Sequence, residues 1–106
     1  MTRNVSPSDL DDLVGLYARA SAADAEAAVA AARAAFPAWS RTPLEQRQAV
    51  LDAIGSELIA RKEELGRLLA REEGKTLAEG MGEVARSGQF FRYYAAEALR
   101  QIGDTA

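Results

Sequence analysis

The chain contains no cysteine and no histidine among its 106 residues. The first absence excludes a disulfide, a thiolate nucleophile and any cysteine-based metal site. The second removes the commonest general base and the commonest metal ligand. No apolar run approaches the roughly 18 residues that a membrane span requires. The first residues also lack the basic-then-hydrophobic pattern of a signal peptide, so the expected compartment is the cytoplasm. A basic stripe is missing too. Net charge is −3, and Lys and Arg are interleaved with Asp and Glu, which argues against a nucleic-acid partner. Nearly half the residues are apolar, at 48%, but many are alanines that bury little area each. The length allows one domain at most, or a piece of a larger one.

What is present is organised around the stretch from Thr76 to Ile102. Leu77, Met81, Val84, Gly88, Phe91, Ala95, Ala98 and Ile102 recur at spacings of four and three, one face of a long amphipathic helix. Thr76 and Glu79 form a T-x-x-E capping box, and Gly103 follows the last periodic residue, where a left-handed stop is expected. Gly80, Gly82 and Gly88 each cost about 1 kcal/mol relative to alanine inside a helix. Their presence predicts that another helix or a cavity wall comes close to this backbone.

The rest of the chain predicts a mainly α fold. Residues 1–12 read as a polar, flexible arm with a turn at Ser6-Pro7-Ser8-Asp9. Leu13 to Ala20 alternates partially and predicts one short strand, without a visible mate for its backbone groups. Ser21 and Asp24 supply an N-cap for an alanine-rich helix over 22–36, whose only large apolar groups are Val29 and Phe36. Pro37 is expected to end it, with Trp39 plugging the helix end. Thr42-Pro43-Leu44-Glu45 predicts a cap, a proline at the first helical position and a box. Arg47, Val50, Leu51, Ile54 and Leu58 then line one face. A break near residues 61–63 separates helices over 43–61 and 63–73, and the fourth covers 77–102. The result is a bundle of three to four helices with one short N-terminal strand. Glu57 with Arg61 and Glu63 with Arg67 are helix-surface ion pairs worth a few tenths of a kcal/mol each.

Few residues point to chemistry. Gly74-Lys75-Thr76 lacks the earlier glycine of a phosphate-binding loop, because Leu69 stands there. Gly80-x-Gly82-x-x-Ala85 matches a relaxed dinucleotide fingerprint, but helical periodicity runs through it and no strand precedes it. Glu72, Glu73, Glu79 and Glu83 have no histidine or convergent third ligand to join them and read as a solvated face. Phe90, Phe91, Tyr93 and Tyr94 have the spacing of a core cluster. Arg86 projects near the glycine notch, where a surface ion pair and an anion-facing role both remain open. No catalytic, cofactor-binding or metal residue is assigned.

Several stretches together resemble the N-terminal part of the aldehyde dehydrogenase superfamily. They are Ala27 to Trp39 (AAVAAARAAFPAW), Thr42-Pro43 with Glu45 and Arg47, Ala60 to Gly80 (ARKEELGRLLAREEGKTLAEG) and Glu83 to Arg100 (EVARSGQFFRYYAAEALR). The last is most similar to the branch acting on semialdehydes that carry a carboxylate, such as α-ketoglutaric semialdehyde. The resemblance implies a piece of an α/β fold, with residues 13–106 as the N-terminal helical segment of a coenzyme-binding domain. It implies NAD- or NADP-dependent oxidation of an aldehyde to an acid, by a cysteine nucleophile, an oxyanion site and a water-activating glutamate. Those groups and the nucleotide-binding loops lie downstream of this segment, so the chain alone is expected to be inactive and to hold no coenzyme. By position, Gly82 and Arg86 would face the substrate entrance. The family's hairpin ahead of the strand reads as missing or shortened.

The expected partners are the remainder of an aldehyde dehydrogenase chain and a second copy, through exposed apolar helix faces. The Thr76–Ile102 seam is the expected contact, so Phe91→Asp should dissociate or unfold the assembly. The rival reading is a free-standing helical interaction or assembly module.

Overall fold

A computed structural model of the chain describes residues 1–100, in the order β1 (Thr2–Ser6), β2 (Asp9–Tyr17), α1 (Ala22–Trp39), α2 (Leu44–Ala60), α3 (Lys62–Glu73) and α4 (Leu77–Glu97). The mainly α expectation holds, with one correction at each end. Residues 2–6, expected in a loose arm, form β1, the mate the predicted strand needed. The two strands pair antiparallel from Thr2↔Tyr17 to Ser6↔Asp9, turning at Pro7-Ser8, with register shifts between Asn4 and Val5 and between Val5 and Ser6. β2 begins and ends earlier than the alternation at 13–20 suggested, because Asp9, Asp11 and Asp12 are polar strand residues whose pairing the hydrophobic pattern cannot report. A hairpin is therefore present where one read as missing or shortened. At the other end α4 stops at Glu97, Ala98 is its C-cap, and residues 98–100 form turns and a bend. Ile102 and Gly103 lie outside the described residues.

α4 is the axis of the fold, and glycine explains why. Its buried positions are Gly80, Val84, Gly88 and Ala95: three belong to the stripe that the periodicity predicted, and Gly80 joins them in place of Leu77 and Met81. At one crossing Gly88 meets Gly55 of α2: a Cβ added at Gly88 would lie 2.6 Å from Ile59 Cγ1 and 2.8 Å from the Gly55 carbonyl. At the other, Gly80 faces Gly66 of α3, whose own added Cβ would sit 2.7 Å from the Met81 backbone. Backbones this close leave no room for larger side chains between them. α2 and α3 thus cover part of the seam expected to lie open, at Val84, Gly88 and Ala95, while its members Leu77 and Phe91 remain exposed.

The large rings fall elsewhere. Phe90, Tyr93 and Tyr94 are 57%, 59% and 60% exposed, which corrects the core reading of that cluster. Tyr93 and Tyr94 touch edge to face, their centroids 5.2 Å apart.

Helix ends follow local chemistry where side chains are free to supply it. Ser21 with Asp24 and Thr76 with Glu79 form complete capping boxes. Gly74 ends α3 in the left-handed conformation, φ 74°, against Pro7 of the hairpin turn. Two expectations fail. α1 continues two residues beyond Pro37, to Trp39, because a proline φ fits a helix and only the bond to the Arg33 carbonyl is lost, while the Ser40 amide still reaches the Phe36 carbonyl at 2.8 Å. Pro43 itself occupies the N-cap position of α2, and Thr42 instead donates its hydroxyl to the Ala38 carbonyl at 3.2 Å. The break between α2 and α3 falls at Arg61, where φ is −99° and ψ 16°.

The hairpin is fastened to α3. Arg71 donates to both oxygens of Asp12, at 2.9 and 2.5 Å, and the Asn4 amide donates to Glu72 at 2.8 Å. α1 packs on no other element, and every one of its residues is exposed. A radius of gyration of 18.2 Å, against about 13 Å for a compact chain of 100 residues, records that extension.

Candidate functional site

The outward face of α4 gathers the residues that have no structural employment. Gly82, Arg86, Gln89, Phe90 and Tyr93 follow at helical spacing, opposite the stripe that packs on α2 and α3. Gly82 is exposed, and a Cβ added there would meet nothing within 4 Å. Of the three glycines in the notch it is the one no neighbour explains. Arg86 lines a shallow concavity with Gln89, Phe90, Tyr93 and Tyr94, and it makes no ion pair with a described residue. A guanidinium beside two phenols and an amide is a donor-rich surface, suited to a carboxylate. The structure thus brings Gly82 and Arg86 to one face, one turn apart.

The nearby carboxylates are engaged in ion pairs or caps. Lys75 pairs with Glu73 at 2.5 Å and Glu83 at 2.6 Å, and these two partners hold its ammonium above the usual lysine range. Glu79 accepts from the Thr76 hydroxyl at 2.8 Å and the Thr76 amide at 3.0 Å, which hold its carboxyl below the usual range. Glu72 accepts from Asn4.

These contacts also test whether a nucleotide coenzyme fits. At the N-terminus of α4 the Glu79 amide donates to the Thr76 hydroxyl and the Thr76 amide to the Glu79 carboxylate, which sets a negative charge where a phosphate would have to lie. The cationic end of Lys75 is held between two glutamates. Gly80 in the fingerprint-like run is buried against the Gly66 carbonyl inside a continuous helix, which leaves no cradle for a pyrophosphate. Neither glycine-containing run accommodates the coenzyme.

A contact that sequence reading missed joins α1 to α2. Arg47 donates to the Trp39 and Ser40 carbonyls at 2.9 and 2.6 Å, and its guanidinium lies 5.8 Å from the Trp39 ring centre. Its Nε is buried without a partner. The expected aromatic plug is thus a half-exposed ring held by an arginine from the next helix. An arginine one turn into a helix that follows a Trp-containing turn was the available signal. The Arg71–Asp12 pair had none, since 59 residues separate its members.

Comparison with known proteins now bears on this surface. The pattern described as the aldehyde dehydrogenase family matches residues 2–106. The chain belongs to the aldehyde dehydrogenase family. Among its relatives is an α-ketoglutaric semialdehyde dehydrogenase of Bacillus subtilis, 38% identical over 104 residues, 98% of this chain and 21% of that protein. A mitochondrial succinate-semialdehyde dehydrogenase of Arabidopsis thaliana is 48% identical over 77 residues, 73% of this chain and 15% of the relative. An N-succinylglutamate 5-semialdehyde dehydrogenase of Chromobacterium violaceum is 55% identical over 65 residues, 61% of this chain and 13% of the relative. The chain therefore spans about a fifth, or less, of the relatives it matches. Among the described residues, no helix is long and apolar enough to cross a membrane.

Proposed function

We propose that this chain is the N-terminal part of a semialdehyde dehydrogenase, an enzyme that oxidises a carboxylate-bearing aldehyde to an acid with NAD or NADP as oxidant. Residues 13–106 begin its coenzyme-binding domain, in the cytoplasm, and the isolated chain is inactive. The observation that carries the reading is the unpaired Arg86 on the open face of α4, in a chain whose relatives are named for semialdehydes. Gly82 and Arg86 border the substrate entrance: the guanidinium attracts the far carboxylate, and the bare Gly82 backbone leaves room for it to pass. Partners follow from the exposed apolar surface. The remainder of a dehydrogenase chain covers α2 to α4, and a second copy joins through an exposed helix face.

The test uses the protein that carries the remainder of the chain. Arg86→Ala is expected to raise KM for a carboxylate-bearing aldehyde roughly tenfold, the value of about 1.5 kcal/mol for a hydrogen bond to a charged group. KM for a neutral aldehyde of equal length should stay unchanged. Equal KM values for both aldehydes would remove Arg86 from the entrance. Steady turnover by the purified 106-residue chain would overturn its inactivity.

The rival, a free-standing helical assembly module, is favoured by one observation: α1 is exposed along its whole length. An in-frame continuation carrying a cysteine and a glycine-rich loop decides against it.

A further inference from the structure

Lys75 lies deeper than either carboxylate it pairs with. Its side chain is 18% exposed, against 51% for Glu73 and 55% for Glu83. The backbone around it is fixed on both sides, by the left-handed turn at Gly74 and by the N-cap at Thr76. From there its ammonium reaches along α4 to Glu83 Oε1 at 2.6 Å, while Glu73 Oε2 anchors it at the end of α3 at 2.5 Å.

What this contact keeps Glu83 from doing bears on the entrance. On a helix Arg86 can meet residues three or four positions away, which are Gly82, Glu83, Gln89 and Phe90. Glu83 is the one carboxylate in that set, and an acidic residue before a basic one at this spacing is an attractive pair. The pair is not made. Glu83 turns to Lys75, and Arg86 makes no ion pair with a described residue. Released from Lys75, Glu83 would take up the guanidinium and set a negative charge beside the path of an incoming carboxylate.

We propose that Lys75 is a positioning residue of the entrance: it holds Glu83 aside and so leaves the Arg86 guanidinium to the substrate carboxylate. The proposal rests on the entrance reading of Arg86 given above. It deepens that reading by naming a residue that sets the preference for a charged over a neutral aldehyde. Lys75 acts through Glu83 and touches no substrate.

Steady-state kinetics of the protein that carries the remainder of the chain test it. The probes are succinate semialdehyde and butanal, the neutral aldehyde of equal length. Lys75→Gln should raise KM for succinate semialdehyde roughly threefold, the strength of an exposed ion pair. It should leave KM for butanal, and kcat for both, unchanged. In an Arg86→Ala background the same substitution should add nothing, because the group that Glu83 would capture is gone. Adding Glu83→Gln to Lys75→Gln should restore the wild-type KM. Glu83→Gln alone leaves Lys75 anchored by Glu73 and should change KM by less than about twofold. That variant reads the proposal even where Lys75→Gln fails to fold: a larger fall in KM would mean that Glu83 already competes for Arg86, and would overturn it. So would a Lys75→Gln effect that is absent, or one that persists undiminished without Arg86, since Lys75 would then be a plain charge near the path. If Arg86→Ala itself leaves KM for succinate semialdehyde unchanged, the entrance reading falls and the proposal with it.

Discussion

α1 and α4 are the two longest helices, at 18 and 21 residues, and both open with a complete capping box. One is exposed throughout, whereas the other is the axis on which α2 and α3 pack. The difference lies in what their small residues do. α1 is rich in alanine, which favours the helix itself but gives a neighbour little area to hold. α4 places glycine where two other backbones cross it, and there the missing Cβ is occupied by a neighbouring chain. A cap and good propensity make a helix; a notch with a partner makes it part of a core.

The largest test of that contrast is a side chain in the notch. Gly80→Val would drive a branched group into the Gly66 carbonyl, which as backbone cannot turn aside. Overpacking of this kind costs about 3 kcal/mol or more, and urea unfolding followed by circular dichroism should show it. Ala31→Val on exposed α1 should change the same transition by less than about 0.5 kcal/mol. Equal losses would mean that α1 is packed as tightly as α4.

Acid should separate the two helices next. Asp24 caps α1 and Glu79 caps α4, and both carboxyls are held below their ordinary values of 3.8 and 4.5. For Asp24 the Ser21 amide is the leading cause and its hydroxyl the second; for Glu79 the Thr76 hydroxyl leads. A depressed folded value means that each box is fully stabilising above the ordinary carboxylate range and fails as pH falls through the folded value. The consequence should differ. α1 has only its cap at that end, so its first-turn amides should exchange faster as soon as Asp24 protonates. α4 is held by Gly66 and should keep its protection to lower pH. Amide exchange between pH 5 and 2 reads both. Simultaneous loss would show that packing lends α4 nothing at its start.

The sequence made much of this legible, because capping boxes, the break at Arg61 and the inner stripe of α4 are local or periodic signals. The resemblance to aldehyde dehydrogenases was likewise carried by contiguous stretches. What escaped reading depends on residues distant in the chain. β1 was hidden because a polar strand has no hydrophobic alternation, and its fastening to α3 joins Asp12 to Arg71 across the fold. The aromatic residues near Tyr93 were misread because bulk usually marks a core, whereas here glycine does. Of the candidate entrance, spacing alone placed Gly82 and Arg86 on one face. That Gly80 and Gly88 are used for packing and Gly82 is free required the neighbouring helices.

That freedom gives a smaller effect of opposite sign. Gly82→Ala fills open space on a helix interior and should stabilise the chain by about 0.4–1 kcal/mol, chiefly by restricting the unfolded state. The urea midpoint should rise. A fall would mean that Gly82, like Gly80, already has a neighbour at its bare backbone.

The smallest expected effect is the most direct measure of how separate α1 is. Ala30→Gly removes a strong helix former from the middle of exposed α1, at a local cost of about 1 kcal/mol. In a dilute sample that cost should appear only within α1. Amide exchange at Val29 should quicken, while exchange at Val84, buried at the centre of α4, should not change. The global urea midpoint should also stay where it is, because a helix that packs on nothing cannot pass its losses to a core. If protection at Val84 falls by the same free energy as at Val29, the tie through Arg47 and Trp39 couples the two regions into one cooperative unit. The contrast between a bare helix and a packed one would then describe their surfaces but not their stability.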